Sequence, residues 1–190
     1  MSATRMLVLG LAFWAGKAHG YQIRAELQSW RADSWARIKP GSLYHALRKA
    51  VADGLLVDAP EQGDGGPDRT VYSITPAGRE ELTRLVRSGL STPGDPWMLN
   101  AAIAMLPTLE RADAITQVNS RIEALVVQRR EMEEWCFGGP PIKPEHVTEQ
   151  AQLWLAQLVA DLEWARKLVV KLAAGAYDMR VGDAPPSIQS

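Results

Sequence analysis

Apolar residues recur at three- and four-residue spacing in several separate stretches of this chain, and the clearest stretch runs from Ile38 to Gly54. There Leu43, Ala46, Leu47, Ala50 and Val51 fall on one stripe, which predicts an amphipathic helix with one face against a core. Both ends are marked. Pro40 presets the backbone angle of a first helical residue, Ser42 offers an oxygen to the free amides of the first turn, and Gly54 suits the left-handed residue that ends helices. Off the stripe stand Ser42, Tyr44, His45, Arg48 and Lys49, all able to donate hydrogen bonds. That face suits a polyanion, although taken alone it also describes an ordinary solvated helix.

The neighbouring pattern changes the weighting. Tyr21, Ile23, Leu27 and Trp30 predict a helix over 20–30, and the polar run Arg31, Ala32, Asp33 and Ser34 reads as a short connection to the next helix. Two helices and a short turn make a helix-turn-helix. Leu55-Leu56-Val57 and Thr70-Val71-Tyr72-Ser73-Ile74 have strand composition and flank the turn cluster Gly63-Asp64-Gly65-Gly66-Pro67-Asp68, which predicts a hairpin, hence a wing. Thr75-Pro76 then starts another helix, with Leu82, Leu85 and Val86 as its apolar stripe.

Ser91-Thr92-Pro93-Gly94-Asp95-Pro96 cannot continue that helix, and reads as a linker. Helices are expected beyond it over 97–106, 107–135 and 144–177, with a break at Gly138-Gly139-Pro140-Pro141. In the last helix Val147, Ala151, Trp154, Leu158, Leu162, Ala165, Val169, Leu172 and Ala176 repeat with coiled-coil spacing, and Leu155, Val159 and Leu168 widen the seam. A stripe so broad predicts packing on an Ile115, Ile122, Leu125 and Val126 face and also on a second subunit. The expected fold class is therefore mainly α with a small β-hairpin wing. Its parts are a winged helix-turn-helix domain over 1–90, a linker over 91–96, a helical dimerisation domain over 97–180 and a disordered tail over 181–190.

His19-Gly20-Tyr21, Pro40-Gly41-Ser42-Leu43-Tyr44, Asp53-Gly54-Leu55-Leu56 and Tyr72-Ser73-Ile74-Thr75-Pro76-Ala77-Gly78, in this order and spacing, resemble the PadR family of bacterial transcriptional regulators. The resemblance covers about the first half of the chain, 6–90; beyond it only the helical layout is similar. It implies a homodimer on a palindromic double-stranded operator, acting as a repressor that a small molecule or stress signal releases. By the same resemblance the segment from Ser42 to Lys49 enters the major groove, and the wing tip near Arg69 reaches adjacent backbone or minor groove. The candidate DNA contacts are Tyr21, Lys39, Gly41, Ser42, Tyr44, His45, Arg48, Lys49 and Arg69. His45 stands where the motif commonly has proline.

Charge supports that reading locally. The net charge of -1 conceals a first half, 1–90, at +3 and a remainder at -4, and residues 17–49 hold seven Lys and Arg against two acidic groups. Cys136 is the single cysteine, which excludes an intrachain disulfide and suggests a reducing compartment. His19, His45 and His146 have no ligand spacing, so neither metal nor cofactor is expected. The apolar run 6–15 after Arg5 imitates a secretory leader but spans about ten residues against the roughly 20 that cross a bilayer. A first helix capped by Thr4, a cytoplasmic protein and no membrane contact are the expectation.

Seven tryptophans are many for this length, and Trp97, just past the linker, is the first candidate for an effector-binding residue. Catalysis is not expected: Glu131, Glu133 and Glu134 cluster without a histidine, phosphate loop or nucleophile beside them. The rival reading is a winged-helix protein-interaction module without DNA binding.

Overall fold

The computed structural model describes residues 2–36, 38, 40–63, 66–139 and 144–182. Lys39, part of the hairpin turn and the expected tail from 183 onward lie outside the described residues. The chain packs as two units, Met1–Leu90 with Gly94–Glu110 and the chain from Asp178 in one, Ser91–Pro93 with Arg111–Tyr177 in the other.

In the first unit, helix α1 (Ala3–Ala15) buries every residue from Met6 to Phe13, so it is a core helix with no solvent face over that length. Ser2, not Thr4, precedes its first turn, and Thr4 lies inside the helix. A two-residue strand β1 (Ala18–His19) leads into α2 (Gly20–Ser29). The segment expected as a polar connection is instead a short helix, α3 (Ala32–Ala36). Arg31, at φ 54°, breaks the chain away from α2, and Ala32 and Ala36 then turn inward and become buried. Small side chains at four-residue spacing outweigh the polarity around them.

Helix α4 (Pro40–Ala52) follows the predicted stripe, with Leu43, Leu47 and Ala50 buried and Ala46 and Val51 half-buried. It ends at Gly54, whose φ of +70° is the left-handed conformation expected there. The hairpin strands β2 (Leu56–Gly63) and β3 (Gly66–Ile74) join β1 in an antiparallel sheet of order β1-β3-β2, with Ala18 opposite Tyr72 and Leu56 opposite Ile74. Strand β1 has no counterpart among the expected elements, because two residues carry no periodicity.

Helix α5 (Pro76–Ser91) begins as expected: the Thr75 oxygen accepts from the Gly78 N–H at 3.0 Å while its hydroxyl donates to the Gly54 carbonyl at 2.8 Å. Leu82, Leu85 and Val86 are buried. Gly78 abuts the Leu55 carbonyl, leaving no space for a side chain. Beyond the linker, Asp95 caps α6 (Pro96–Ala104), accepting from the backbone of Trp97 and Met98, both at 3.0 Å. A 3-10 turn at Leu106–Thr108 follows. Helix α6 packs on α1 and α3, with Ala102 against Gly89 and Met105 against Gly10. Residues 97–110 thus join the first unit rather than the helices after them, because the small residues of α1 and α5 let α6 approach closely.

The second unit is a helical hairpin of α7 (Arg111–Phe137) and α8 (Val147–Ala173). Arg121 pairs with Asp161, and Trp135 stacks on Trp154 at 6.3 Å, so the helices run antiparallel. The buried face of α7 is Ala114, Val118, Arg121 and Leu125, whereas Ile115 and Ile122 are half-buried and Val126 is exposed. Of the face expected to pack, only Leu125 is fully buried. Small buried residues, Ala114 on α7 and Ala151 and Ala165 on α8, let the helices close around the Arg121 guanidinium. Arg111 closes the end of α8, donating to the Leu172, Ala176 and Tyr177 carbonyls at 3.0, 2.6 and 2.8 Å.

Candidate nucleic-acid interface

Because α4 commits Leu43, Leu47 and Ala50 to the core, helical geometry turns Gly41, His45, Arg48 and Lys49 outward, and all four are exposed. Ser42 and Tyr44 are half-buried on the margin of that face. Lys49 lies 3.5 Å from Asp53 and keeps 58% of its side chain exposed, so the pair is a weak surface contact that a phosphate could displace.

Asp53 belongs to a charge relay behind α4. Arg5 on α1 donates to it at 2.8 Å and approaches Glu81 on α5 at 3.4 Å. The hydrogen bond from Arg5 holds the Asp53 carboxyl below its ordinary value, with Lys49 adding to the effect; Glu81 is lowered first by its bond to Arg84.

Tyr44 is placed by a glycine. A methyl group built on Gly20 would lie 3.1 Å from the Tyr44 ring and 3.6 Å from the Tyr72 ring, so the bare backbone at the start of α2 is what both rings rest on. Tyr72, on β3, thereby joins the α4 face to the sheet. Burial pushes its phenol above the ordinary value, Asp58 across the hairpin adds to the rise, and Arg48 opposes it. The Tyr72 group is consequently a neutral O–H. It opens one of the four motifs yet is absent from the expected contacts, since only the fold brings it beside Gly20 with Tyr44.

Two further predicted residues, Tyr21 and Arg69, meet at the wing. Arg69 on β3 sits over the Tyr21 ring at 5.8 Å, and Tyr21 stacks on His19 at 5.3 Å between ring centres. His19 is tied to both wing strands, to the Thr70 carbonyl at 3.3 Å and to Glu61 at 3.0 Å. Its N–H is held by the Gln22 carboxamide oxygen at 2.8 Å, fixing the start of α2. Gly20 thus joins Tyr44 on α4 to Tyr72 on β3, and Tyr21, next to it in the chain, meets Arg69, while Gly41, His45, Arg48 and Lys49 are exposed along α4 and Lys39 lies outside the described residues. Sequence reasoning misses His19 as a positioning residue, although its place in the His19-Gly20-Tyr21 motif is the signal that could have found it.

Residues 8–84 match the model of the Transcriptional regulator PadR-like family. This chain carries a PadR-like domain. The match runs from within α1 through the wing into α5, which covers every element of the surface just described. Among relatives, Transcriptional regulator Rv3488 of Mycobacterium tuberculosis is 51% identical over 47 residues, 25% of this chain and 43% of that protein. An uncharacterized 37.1 kDa protein in transposon TN4556 of Streptomyces fradiae is 40% identical over 84 residues, 44% of this chain and 22% of that one. The matches thus span less than half the length of either relative. A crystal structure of Bacillus subtilis PadR in complex with operator DNA is 17% identical, with 88% of this chain and 98% of that chain covered and a TM-score of 0.41.

Around the PadR-like domain, Trp97 is half-buried at the start of α6. Trp14 and Trp30 line a cavity in the same unit. No group of three or more His, Cys, Asp or Glu side chains suited to a metal occurs among the described residues, and none of the described helices is long and apolar enough to cross a membrane.

Proposed function

We propose that this chain is a sequence-specific DNA-binding transcriptional regulator, a cytoplasmic repressor that sits on a palindromic operator as a homodimer and leaves it when a small molecule or stress signal arrives. The observation that carries the reading is the exposed α4 face of His45, Arg48 and Lys49 inside the PadR-like domain, together with the exposed Tyr21–Arg69 pair on the wing of the same domain. A helix is the element that fits the major groove, and cations at its face supply the phosphate attraction. The similarity to the Mycobacterium transcriptional regulator supports the reading.

In this reading Arg48 and His45 reach base edges or phosphates, Tyr44 and Ser42 donate from the margin, and Gly41 lets the backbone close on a phosphate. Lys39 and Lys49 add charge. The helical hairpin supplies the dimer contact, supported by an apolar groove along α8 lined by Leu155, Ala156, Val159 and Ala160, with Leu153 and Trp154 exposed beside it. A twofold dimer would set two α4 helices about 34 Å apart, one turn of the duplex. Domain roles follow accordingly, with DNA reading in the first unit and pairing in the second.

The test is a mobility-shift titration against the DNA upstream of the protein's own coding region, with unrelated competitor present. A discrete shift that survives competition is expected, its affinity falling with salt by a log-log slope of about -0.9 per phosphate contacted. Arg48→Ala should weaken it while leaving the helical circular dichroism intact. Binding that ignored both salt and Arg48→Ala would point to the protein-interaction reading instead.

A further inference from the structure

His19 stands where β1, the start of α2 and both wing strands meet, with 15% of its side chain exposed. Its Nδ1 lies 3.3 Å from the Thr70 carbonyl oxygen on β3, and its Nε2 lies 3.0 Å from a Glu61 carboxylate oxygen on β2. Both partners are acceptors and a neutral imidazole carries one N–H, so the two contacts are hydrogen bonds together only when the ring is an imidazolium. A third group faces the same side chain. The Gln22 backbone N–H points to it in the capping box that opens α2, and with Nε2 turned to Glu61 the lone pair it meets is that of Nδ1. Nδ1 therefore stands between a donor on α2 and an acceptor on β3, and one proton decides which of them it serves.

We propose that His19 is a proton-operated clamp on the wing. Charged, the ring donates to Glu61 and Thr70 and ties both strands to the start of α2. Neutral, it keeps its Nε2–H on Glu61, turns the Nδ1 lone pair to the Gln22 N–H and releases β3. Gln22 is exposed, so water replaces the lone pair that its N–H gives up in the charged state, and its carboxamide holds the His19 N–H in both. Histidine is the side chain whose charge ordinarily changes between about pH 5 and 8. The wing is consequently tied most firmly below that range and loosens as pH rises through it.

The titratable groups on the surrounding elements, among the described side chains, are few. Glu61 on β2 touches the ring and Tyr21 on α2 stacks on it at 5.3 Å, while Arg69 on β3 lies over Tyr21 and opposite Glu61 in the hairpin register. Asp58 on β2 faces Tyr72 on β3, and Arg24 and Glu26 stand further along α2. Helix α1 brings only Arg5, which is bound to Asp53, and Lys17 precedes β1. Thr70 adjoins Arg69, so the clamp also steadies the cation that the wing offers, and operator affinity rises on acidification. That consequence rests on the DNA-binding reading above; the clamp itself does not.

Amide hydrogen exchange of the full chain between about pH 5.5 and 7.5, corrected for the intrinsic pH dependence of exchange, tests the clamp. The parent for the test is His45→Gln, which removes the histidine on the exposed α4 face. Protection of the β2 and β3 amides should be about three- to tenfold greater at the acid end, the worth of one hydrogen bond, and adding His19→Gln should abolish the difference. Glu61→Gln, at a position whose side chain is 58% exposed, should move the midpoint of the change to lower pH by removing the carboxylate that the charged ring meets. Operator affinity by mobility shift should rise about three- to tenfold over the same interval, again only while His19 is present. Equal protection at both ends of the interval overturns the proposal, as does a difference that survives His19→Gln, and a flat operator affinity overturns the coupling to DNA. A chain that binds no DNA at any pH sinks the DNA-binding reading, and the exchange measurement still judges the clamp. Should His19→Gln disturb the fold by circular dichroism, Glu61→Gln decides: a midpoint that stays in place overturns the clamp.

Discussion

Arg121 is the one arginine among the described residues with a side chain only 2% exposed, and Asp161 is what makes that burial tolerable. Its Nε and Nη2 donate to the two Asp161 oxygens at 2.9 and 2.5 Å, and Nη1 donates to the Thr92 carbonyl at 2.9 Å. Replacing Asp161 by alanine removes two charge-assisted bonds and strands a guanidinium between α7 and α8. Breaking a fully buried pair costs about 3–5 kcal/mol. Asp161 keeps 23% of its side chain in contact with water, and that water can partly solvate what remains, so the expected loss is nearer about 3 kcal/mol. In urea this moves the midpoint down by about 1 M or more, for slopes of roughly 1–3 kcal/mol/M. The readout should be unfolding followed by tryptophan fluorescence, to which Trp135, Trp154 and Trp164 contribute from the second unit and Trp14, Trp30, Trp35 and Trp97 from the first. The double variant Arg121→Met/Asp161→Leu tests the cause, because removing both charges should return stability to within about 1 kcal/mol of the parent. A parental midpoint for Asp161→Ala refutes the reasoning, and so does a double variant as unstable as the single, since packing rather than an orphaned charge would then be at fault.

Three further outcomes are expected. Gly78→Ala should lower stability by about 2 kcal/mol or more, measured by thermal melting, because a methyl group there meets the Leu55 backbone, which cannot swing aside as a side chain could. On acidification the carboxyls of Asp53 and Glu81, both lowered in the folded chain, contribute stability that is complete above their ordinary values and is lost as pH falls through the lowered ones. Melting followed from about pH 5 to about pH 2.5 should show this loss, and Arg5→Met should make it shallower by releasing Asp53. Val159→Glu, in the apolar groove of α8, should shift sedimentation from dimer to monomer without loss of helical signal; an unchanged mass would place the dimer contact elsewhere.

Much of the first unit was legible because its signals are local. Pro40, Gly54 and Thr75-Pro76 act through their own backbone angles and side-chain oxygens, and the stripe of α4 needs only the helical period to be read. The family motifs lie in the same stretch, and the outward face of α4 followed from knowing which residues turn inward. Side chains within one turn of each other decided these features, so sequence sufficed.

Tertiary contact decided the rest. Two residues of β1 become a strand only because Val71 and Tyr72 lie opposite them, and α3 forms because Ala32 and Ala36 find a core to enter. Helix α6 joins α1 rather than α7 because Gly10 and Gly89 leave space for Met105 and Ala102. Arg121 reads as a surface residue of a long polar helix until Asp161, forty positions later, arrives beside it. Tyr72 and Tyr44 meet over Gly20, and Trp14 shares a cavity with Trp30, by the same kind of approach. Periodicity reports which face of an element is apolar; which partner covers that face, and which polar group is sealed in with it, depends on residues distant in sequence, and the folded chain alone brings them together.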